Sequence, residues 1–212
     1  MTMLLVIASA SAIYAAADSK QFPSGNITEK IFAVGRDAVI MNAGFAFIPK
    51  AGENGNDWDA RVEIGKLAAS IPDGAPEQQF NFLRNRVLEN FSQAIARYHG
   101  EIPTGKSLDF FFVRRIAAKN YGWFQKILVQ EAEPRIYQAS LDSPKRFDTG
   151  VYWSLPLECI MHNFRIDQII SVAAISDLFH RVAGQSEACS RQIGDPIRVT
   201  IIDDDAGVRW LQ

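Results

Sequence analysis

Short apolar runs separated by turn-forming residues open the chain. Residues 4–7 and 13–17 are two such runs joined by small residues, and this pattern predicts two buried strands with a tight turn between them. Residues 30–34 and 37–43 predict a second strand pair around a Gly-Arg-Asp turn. Four consecutive short strands are therefore expected before any helix.

Helical spacing of apolar residues dominates two later parts of the chain. Residues 57–69 predict a first helix, and residues 77–98 predict a longer one with apolar side chains every three or four positions. A third apolar track runs over residues 166–181 and stops near Gly184, with a further helical turn or two up to Ser190. Each helix is expected to bury one face.

Aromatic and β-branched runs lie between and after the helices. They predict strands at residues 108–117, 122–129 and 135–141, and a closing hairpin in which residues 196–202 and 208–211 flank an acidic turn. Strands and helices are segregated along the chain. This segregation favours an α+β fold, in which antiparallel sheets are covered by helices.

The chain is interpreted as one domain. Residues 1–212 contain no linker, internal repeat or low-complexity tract, and 48% of them are hydrophobic, which is enough for one well-packed core. Residues 52–57 and 142–150 are rich in glycine and polar residues, and they are the expected mobile surface loops.

The apolar opening also imitates a secretory signal peptide. No Lys or Arg precedes the apolar run, however, and Ser9 and Ser11 interrupt it. The run is too short to cross a bilayer as a helix, which takes about 20 apolar residues. We therefore expect strands of a cytoplasmic protein that does not associate with membranes, with secretion as the alternative.

Charge and the metal-binding residue types exclude several classes of function. The formal charge of -2 and the absence of a basic stripe argue against a nucleic-acid partner. The cysteines, Cys159 and Cys189, lack metal-ligand spacing and predict buried free thiols, which fits a reducing compartment. The three histidines, His99, His162 and His180, are too widely spaced to define a zinc site. No metal or other cofactor is expected.

Residues 100–107 match the expression for a phosphate-binding P-loop, and residues 199–203 imitate its partner strand. A P-loop follows a strand and opens a helix. This match instead follows a predicted helix and precedes a predicted strand, so nucleotide hydrolysis is rejected.

Several residues near the start stand in an order known from one family. Thr2 opens the first predicted strand, Ala16-Ala17-Asp18-Ser19 closes the second, Lys30 begins the third, and Met41-Asn42-Ala43-Gly44 ends the fourth. This order resembles that of proteasome β subunits, which are N-terminal-nucleophile hydrolases, and suggests a bacterial proteasome-like protein. The resemblance implies a four-layer αββα sandwich and homo-oligomeric stacked rings. It also implies peptide or unfolded-protein substrates and an ATP-dependent unfoldase as a partner.

The resemblance also implies a role for each matching residue. Removal of Met1 would give Thr2 a free α-amine, which is a suitable base for its own hydroxyl nucleophile. Lys30 would favour the deprotonated hydroxyl, Asp18 would hold Lys30, and the Gly44 amide would face the oxyanion. Each residue alone also has a purely structural explanation, so the hypothesis rests on their combination.

Substrate contacts and supporting groups are less well defined by the sequence. Candidates for the substrate pocket flank Lys30 and Gly44 on alternating strand positions; they are Thr28, Phe32, Asn42 and Ala46. The family's Gly-Ser-Gly and Asp-x-x-Ser-Gly-Gly patterns are missing, which leaves Ser154 and Ser190 as substitutes. The sequence therefore predicts a threonine-type peptidase, with an inactive proteasome-like scaffold or assembly subunit as the alternative.

Overall fold

The computed structural model describes most of the chain. The described residues are 3–19, 29–44, 47–49, 56–97, 107–128, 137–140, 150–155, 159–161 and 170–211. The strands are β1 (Leu4–Ala8), β2 (Ala12–Asp18), β3 (Ile31–Val34), β4 (Ala38–Gly44), β5 (Phe47–Pro49), β6 (Asn56–Asp59), β7 (Ser107–Ile116), β8 (Lys119–Leu128), β9 (Tyr137–Ser140), β10 (Gly150–Ser154), β11 (Ile197–Asp203) and β12 (Gly207–Trp210). The helices are α1 (Ala60–Ser70), α2 (Pro76–Arg97), α3 (Val172–Ala183) and α4 (Glu187–Gln192).

The strands form two five-stranded antiparallel sheets and one short hairpin. Sheet 1 has the order β10-β1-β2-β11-β12, and sheet 2 has the order β3-β4-β7-β8-β9. The separate hairpin consists of β5 and β6. The first and last predicted hairpins thus belong to the same sheet, because β2 pairs with β11.

Strand alternation places one apolar cluster between the two sheets. Every second side chain of a strand points to the same face. The cluster between the sheets comes from alternate positions of β1, β2, β4 and β7 and includes Leu4, Val6, Ile13, Ala15, Val39, Met41, Phe111 and Val113. The sheets therefore pack face to face.

The helices cover the other face of each sheet. On sheet 2, α1 and α2 bury Ile64, Leu83, Val87 and Phe91 against Ile40, Phe110 and Phe112. On sheet 1, α3 and α4 bury Leu178, Phe179 and Cys189 against Leu5, Ile7 and Val199. The expected α+β class is confirmed by this arrangement. Among the described helices, none is long and apolar enough to span a membrane.

Most predicted elements are confirmed, but some boundaries were wrong. The helix predicted over 57–69 begins at Ala60, because Asp59 ends β6 and its carboxylate accepts a hydrogen bond from the Arg61 backbone N–H as an N-cap. The third helix begins at Val172 behind the cap residue Ser171, and residues 162–169 lie outside the described residues.

Two strand segments were not predicted. β5 with β6 occupies sequence that lacks a clean alternating pattern, and β10 lies in a stretch where a loop was expected up to residue 150. The rest of both predicted loops, 52–55 and 142–149, lies outside the described residues.

The prediction of free cysteines was wrong. Cys159 and Cys189 form a disulfide, with their Cα atoms 5.7 Å apart. It ties the segment 159–161 to α4, and both cysteines are buried in the cluster under sheet 1. Their apolar surroundings were predicted correctly, but the pair gives no support for a reducing compartment.

A buried arginine ties the turns at one end of the two sheets, here called the turn end. Arg115 of β7 bonds to the Asp204 carboxylate at 2.7 Å, to Asn120 Oδ1 at 2.6 Å and to the Ala10 carbonyl oxygen at 2.9 Å. These partners lie in or beside the β11–β12, β7–β8 and β1–β2 turns. The opposite end, here called the site end, carries Asp18, Lys30 and Gly44.

Candidate active site

Asp18 and Lys30 meet as a buried ion pair at the site end. Lys30 Nζ lies 3.1 Å from Asp18 Oδ2. The other carboxylate oxygen accepts a hydrogen bond of 2.8 Å from the Met3 backbone N–H. Asp18 is the last residue of β2 and Lys30 directly precedes β3, so the pair joins sheet 1 to sheet 2.

Burial controls the ionisation of this pair. It raises the pKa of Asp18 to about 6, although the Lys30 charge and the Met3 hydrogen bond act in the opposite direction. Burial also lowers the pKa of Lys30, with the Asp18 carboxylate opposing this shift and the nearby Arg61 adding to it. The pKa values of both groups thus shift towards neutral pH, the range in which a proton-transfer site works best.

Gly44 ends β4 in a conformation that requires glycine. Its φ is +89°, and a Cβ at this position would lie 2.0 Å from the carbonyl oxygen of Ser107. In the pairing of β4 with β7, Gly44 lies opposite Leu108. The backbone of β7 therefore occupies the position that a side chain at Gly44 would take.

Two of the pocket candidates flank Lys30. Phe32 is partly buried and packs against α1, where a Cβ on Gly65 would lie 3.3 Å from its ring. The Asn42 backbone N–H donates to the Lys30 carbonyl oxygen at 3.1 Å. Its side-chain Oδ1 is buried without a hydrogen-bond partner in the described part of the chain. The remaining candidates, Thr2, Thr28 and Ala46, lie outside the described residues.

Ser154 forms a second buried polar pair, with a residue that the sequence did not single out. Its Oγ donates to Asp109 Oδ2 at 2.7 Å. Both residues are buried, and Asp109 Oδ1 has no hydrogen-bond partner among the residues that the structure describes. A signal for Asp109 was present in the sequence, since it is the one carboxylate in the aromatic run 108–113.

Ser190 lies elsewhere. It is exposed on α4, and its hydroxyl donates to the Glu187 carbonyl oxygen at 3.0 Å within the same helix. Asp18 and Lys30, in contrast, are buried. The structure thus brings together Asp18 with Lys30 and Ser154 with Asp109, whereas it leaves Ser190 on the surface.

No group of three or more His, Cys, Asp or Glu residues in the described ranges is arranged to hold a metal ion. At the site end, Asp18 pairs with Lys30 and with the Met3 backbone N–H, and Asp109 accepts from the Ser154 hydroxyl.

No family model matches the chain, and no curated protein does. Among solved structures, the fold is similar to that of Anbu (ancestral beta-subunit) from Yersinia bercovieri. The TM-score is 0.50 and the sequence identity is 11%, and the match covers 99% of this chain and 87% of that chain. At this identity the likeness shows the fold alone.

Proposed function

We propose that this protein is an N-terminal threonine hydrolase that cleaves peptide or amide bonds, with Thr2 as nucleophile once processing makes it the first residue. The buried pair of Asp18 and Lys30 carries the proposal. Asp18 accepts from the Met3 backbone N–H, and this nitrogen is covalently bonded to the carbonyl carbon of Thr2. An ion pair with shifted pKa values therefore lies one peptide unit from the proposed nucleophile.

The proposed reaction is acyl transfer followed by hydrolysis. The free α-amine of Thr2 takes the proton from its own hydroxyl, and the hydroxyl oxygen attacks the substrate carbonyl carbon. The proton then passes to the departing amine, which leaves an ester on Thr2. Water attacks this ester with the α-amine again as base, and the acid product departs.

The surrounding residues stabilise charge during these steps. Lys30 in its charged form favours the Thr2 alkoxide, and ionised Asp18 keeps Lys30 charged and in place. The Gly44 N–H is the proposed donor to the oxyanion. Thr28, Phe32, Asn42 and Ala46 are proposed to line the substrate pocket.

The proposal extends to the layers of the fold and to the assembly. We propose a four-layer αββα sandwich, supported by the apolar cluster between the sheets and by one helix-covered cluster on each outer face. We also propose that copies of the chain form homo-oligomeric rings around a chamber in which unfolded peptides are cleaved. An ATP-dependent unfoldase is the proposed partner. Native mass spectrometry of the purified protein tests the ring.

The first test is whether the Thr2 amine is free and needed. The intact mass of the purified protein is expected to lack Met1, and a fluorogenic peptide library is expected to be cleaved. Thr2→Ala should abolish cleavage and Thr2→Ser should retain it, because serine keeps the hydroxyl. Thr200→Val is the matched control, since its buried hydroxyl has no hydrogen-bond partner in the described residues and lies on β11. Full activity of Thr2→Ala would refute the proposed nucleophile.

A non-catalytic scaffold or assembly subunit is the second candidate. The missing Gly-Ser-Gly and Asp-x-x-Ser-Gly-Gly patterns favour it, because these patterns support the nucleophile in the family that the chain resembles. Retention of Met1 together with normal ring assembly would support the scaffold and contradict the hydrolase.

A cytoplasmic location is part of the proposal, because Ser9 and Ser11 interrupt the apolar opening, unlike the apolar region of a secretory signal peptide. The disulfide between Cys159 and Cys189 is the observation against it. Alkylation of thiols during cell lysis, followed by mass spectrometry, tests the location. Two alkylated cysteines are expected in the cytoplasm, and an intact disulfide would indicate an oxidising compartment.

A further inference from the structure

The disulfide between Cys159 and Cys189 joins a short segment to a helix. Cys189 lies on α4, where its backbone N–H donates to the Ser186 side chain at 3.1 Å and its carbonyl oxygen accepts from the Ile193 N–H at 2.9 Å. Cys159 lies in the segment 159–161, which is neither helix nor strand. The helix is therefore the fixed side of the disulfide, and the segment is the side that can move.

Apart from the disulfide, the described contacts of this segment lie mostly at the surface. The Ile160 N–H donates to Gln185 Oε1 at 2.9 Å, and Gln185 Nε2 donates to the Ile160 carbonyl oxygen at 2.5 Å. Both bonds are exposed, and Met161 packs only partly buried. Hydrogen bonds that compete with water contribute little net free energy. The buried Cys159 side chain with its bond to Cys189 is thus the strongest attachment that the described residues show.

The strand β10, which precedes this segment, has few buried contacts of its own. It is an edge strand of sheet 1 and pairs with β1. Among its five residues only Ser154 is buried, and such strands open more easily than core strands. Cys159 follows Ser154 by five residues, a length of chain that spans at most about 18 Å. The disulfide therefore tethers the chain shortly after the end of β10.

The end of β10 also reaches the facing sheet. The Ser154 hydroxyl donates to Asp109 Oδ2 on β7 at 2.7 Å. Leu155 packs partly buried against the apolar cluster that contains both cysteines. The end of β10 is thus held on one side by a hydrogen bond to sheet 2 and on the other by the packing that the disulfide closes.

The proposed compartment gives the disulfide a reason to be reversible. The apolar opening of the chain is interrupted by Ser9 and Ser11, and this favours a cytoplasmic location over secretion. Cytoplasmic thiol systems keep most cysteines reduced, and the disulfides that form there are usually transient and either catalytic or redox-sensing. A disulfide in a cytoplasmic chain is therefore expected to open and close.

We propose that Cys159 and Cys189 form a reversible latch, which oxidation closes and a dithiol reductant opens. The latch controls the order of the segment 159–161 and of the end of β10. This inference goes beyond the proposed hydrolysis and does not depend on it. It rests on the proposed cytoplasmic location, because that is where a reductant is present.

Opening of the latch is a thiol–disulfide exchange that transfers two electrons. One thiolate of the dithiol attacks Cys159 Sγ, because Cys159 is 7% exposed whereas Cys189 is completely buried. The S–S bond breaks, Cys189 leaves as a thiolate, and a mixed disulfide forms at Cys159. The second thiolate attacks the dithiol sulfur of this mixed disulfide, and Cys159 leaves. The dithiol ends as a disulfide, and the two protons that it loses end on Cys159 and Cys189.

The test uses the purified full chain in its oxidised form and after incubation with dithiothreitol, a small dithiol. Hydrogen exchange followed by mass spectrometry compares peptides that cover residues 150–161 with peptides that cover the turn end around Arg115. The double variant Cys159→Ala with Cys189→Ala mimics the open latch and also controls for effects of dithiothreitol elsewhere. Gln185→Ala, which removes the two exposed hydrogen bonds to the segment, is the matched variant.

We expect dithiothreitol to reduce the disulfide in the folded protein and to make exchange in residues 150–161 about tenfold faster, with exchange at the turn end within about twofold. Oxidised glutathione should restore the slow exchange. The double variant should exchange like the reduced protein, with or without dithiothreitol. Oxidised Gln185→Ala should stay within about twofold of wild type, because its lost bonds are exposed.

Four results overturn the inference. The first is a disulfide that dithiothreitol reduces only when the whole chain unfolds, and the second is unchanged exchange in residues 150–161 after reduction. The third is equally faster exchange along the whole chain, which would make the disulfide a support of the entire fold. The fourth is an intact disulfide after alkylation during lysis of growing cells, because no reductant would then reach it.

The wild-type comparison with and without dithiothreitol decides the matter by itself if the double variant does not fold. No readout uses peptide hydrolysis. An inactive protein whose exchange responds to dithiothreitol as expected would therefore remove the hydrolase and leave the latch, and an active protein without this response would do the reverse.

Discussion

Burial of the Asp18 side chain changes how this residue responds to pH. Its side chain is completely buried and its pKa is raised to about 6 from an ordinary value of 3.8. The protonated carboxyl is therefore favoured by folding. The contribution of Asp18 to the free energy of unfolding is fully present below pH 3.8 and decreases as the pH rises through 6.

Activity should show the opposite trend, because the proposed mechanism needs ionised Asp18. We expect kcat/KM to fall by about tenfold per pH unit below pH 6, since protonation removes the partner of Lys30. Peptide hydrolysis followed from pH 4.5 to 8, with circular dichroism at each pH, measures this. The Asp18→Asn variant should hydrolyse the peptide slowly, and its kcat/KM should not show the decrease near pH 6. A wild-type rate that stays constant between pH 5 and 7 would contradict the role of Asp18.

The residue pairs that could be predicted from the sequence are those whose members lie close together along the chain. Asp18 and Lys30 are separated by 12 residues, at the end of β2 and just before β3, so their order along the chain allowed them to be linked through a family resemblance. Asp109 and Ser154 are 45 residues apart on different sheets, and Cys159 and Cys189 are 30 apart. Which residues meet over such distances depends on sheet order, and a single sequence does not contain the sheet order directly.

At the scale of elements, β4 is the strand on which the site geometry depends most. Its end approaches β7 so closely that a Cβ on Gly44 would overlap the Ser107 carbonyl oxygen. Gly35, in the β3–β4 turn, also has a positive φ, of +58°, but has nothing within 4 Å of the position of a Cβ. A comparison of substitutions at these two glycines therefore separates the free-energy cost of backbone strain from that of steric overlap.

We expect Gly44→Ala to lower the free energy of unfolding by about 3 kcal/mol, because overpacking of about 1–3 kcal/mol adds to left-handed strain of about 1–2 kcal/mol. Gly35→Ala is the matched control and should cost only the strain, about 1–2 kcal/mol. Urea denaturation followed by fluorescence measures both. Equal losses in the two variants would show that the backbone at Gly44 moves away without cost.

Element positions followed the sequence wherever one face was periodic. The spacing of Phe80, Leu83, Val87 and Phe91 predicted α2, and all four are buried. The start of α1 was misplaced because Asp59 serves both as the end of β6 and as a cap, and hydrophobic periodicity does not report capping. β10 was missed because only its last side chain, Ser154, is fully buried, so no alternating pattern marks it.

At the scale of the whole molecule, the turn end is held by a charged group that is almost completely buried. Arg115 is 3% exposed and bonds to parts of three hairpins. Asn120 strengthens the tie by donating to the Ser9 carbonyl oxygen at 2.8 Å. Arg36 makes a similar but exposed bond to the Asp205 carbonyl oxygen at 2.7 Å.

We expect Arg115→Met to lower the free energy of unfolding by about 3 kcal/mol, because removal of one partner leaves buried polar groups unpaired. Arg36→Met, at an exposed position, should change it by less than about 1 kcal/mol. Chemical denaturation of both variants under the same conditions provides the comparison. An equal loss in the free energy of unfolding for Arg36→Met and Arg115→Met would show that burial does not make the bonds of Arg115 more stabilising than those of Arg36.

The hydrogen bonds of Arg115 also affect where the two sheets can move apart. They fix the hairpin turns to one another, whereas at the site end the sheets are joined by the Asp18–Lys30 and Ser154–Asp109 pairs. The amplitude of breathing between the sheets should therefore increase along the strands away from Arg115. Amide hydrogens would exchange last beside the turns and first beside the proposed nucleophile. The same gradient would allow small movements at the site end without loosening the rest of the core.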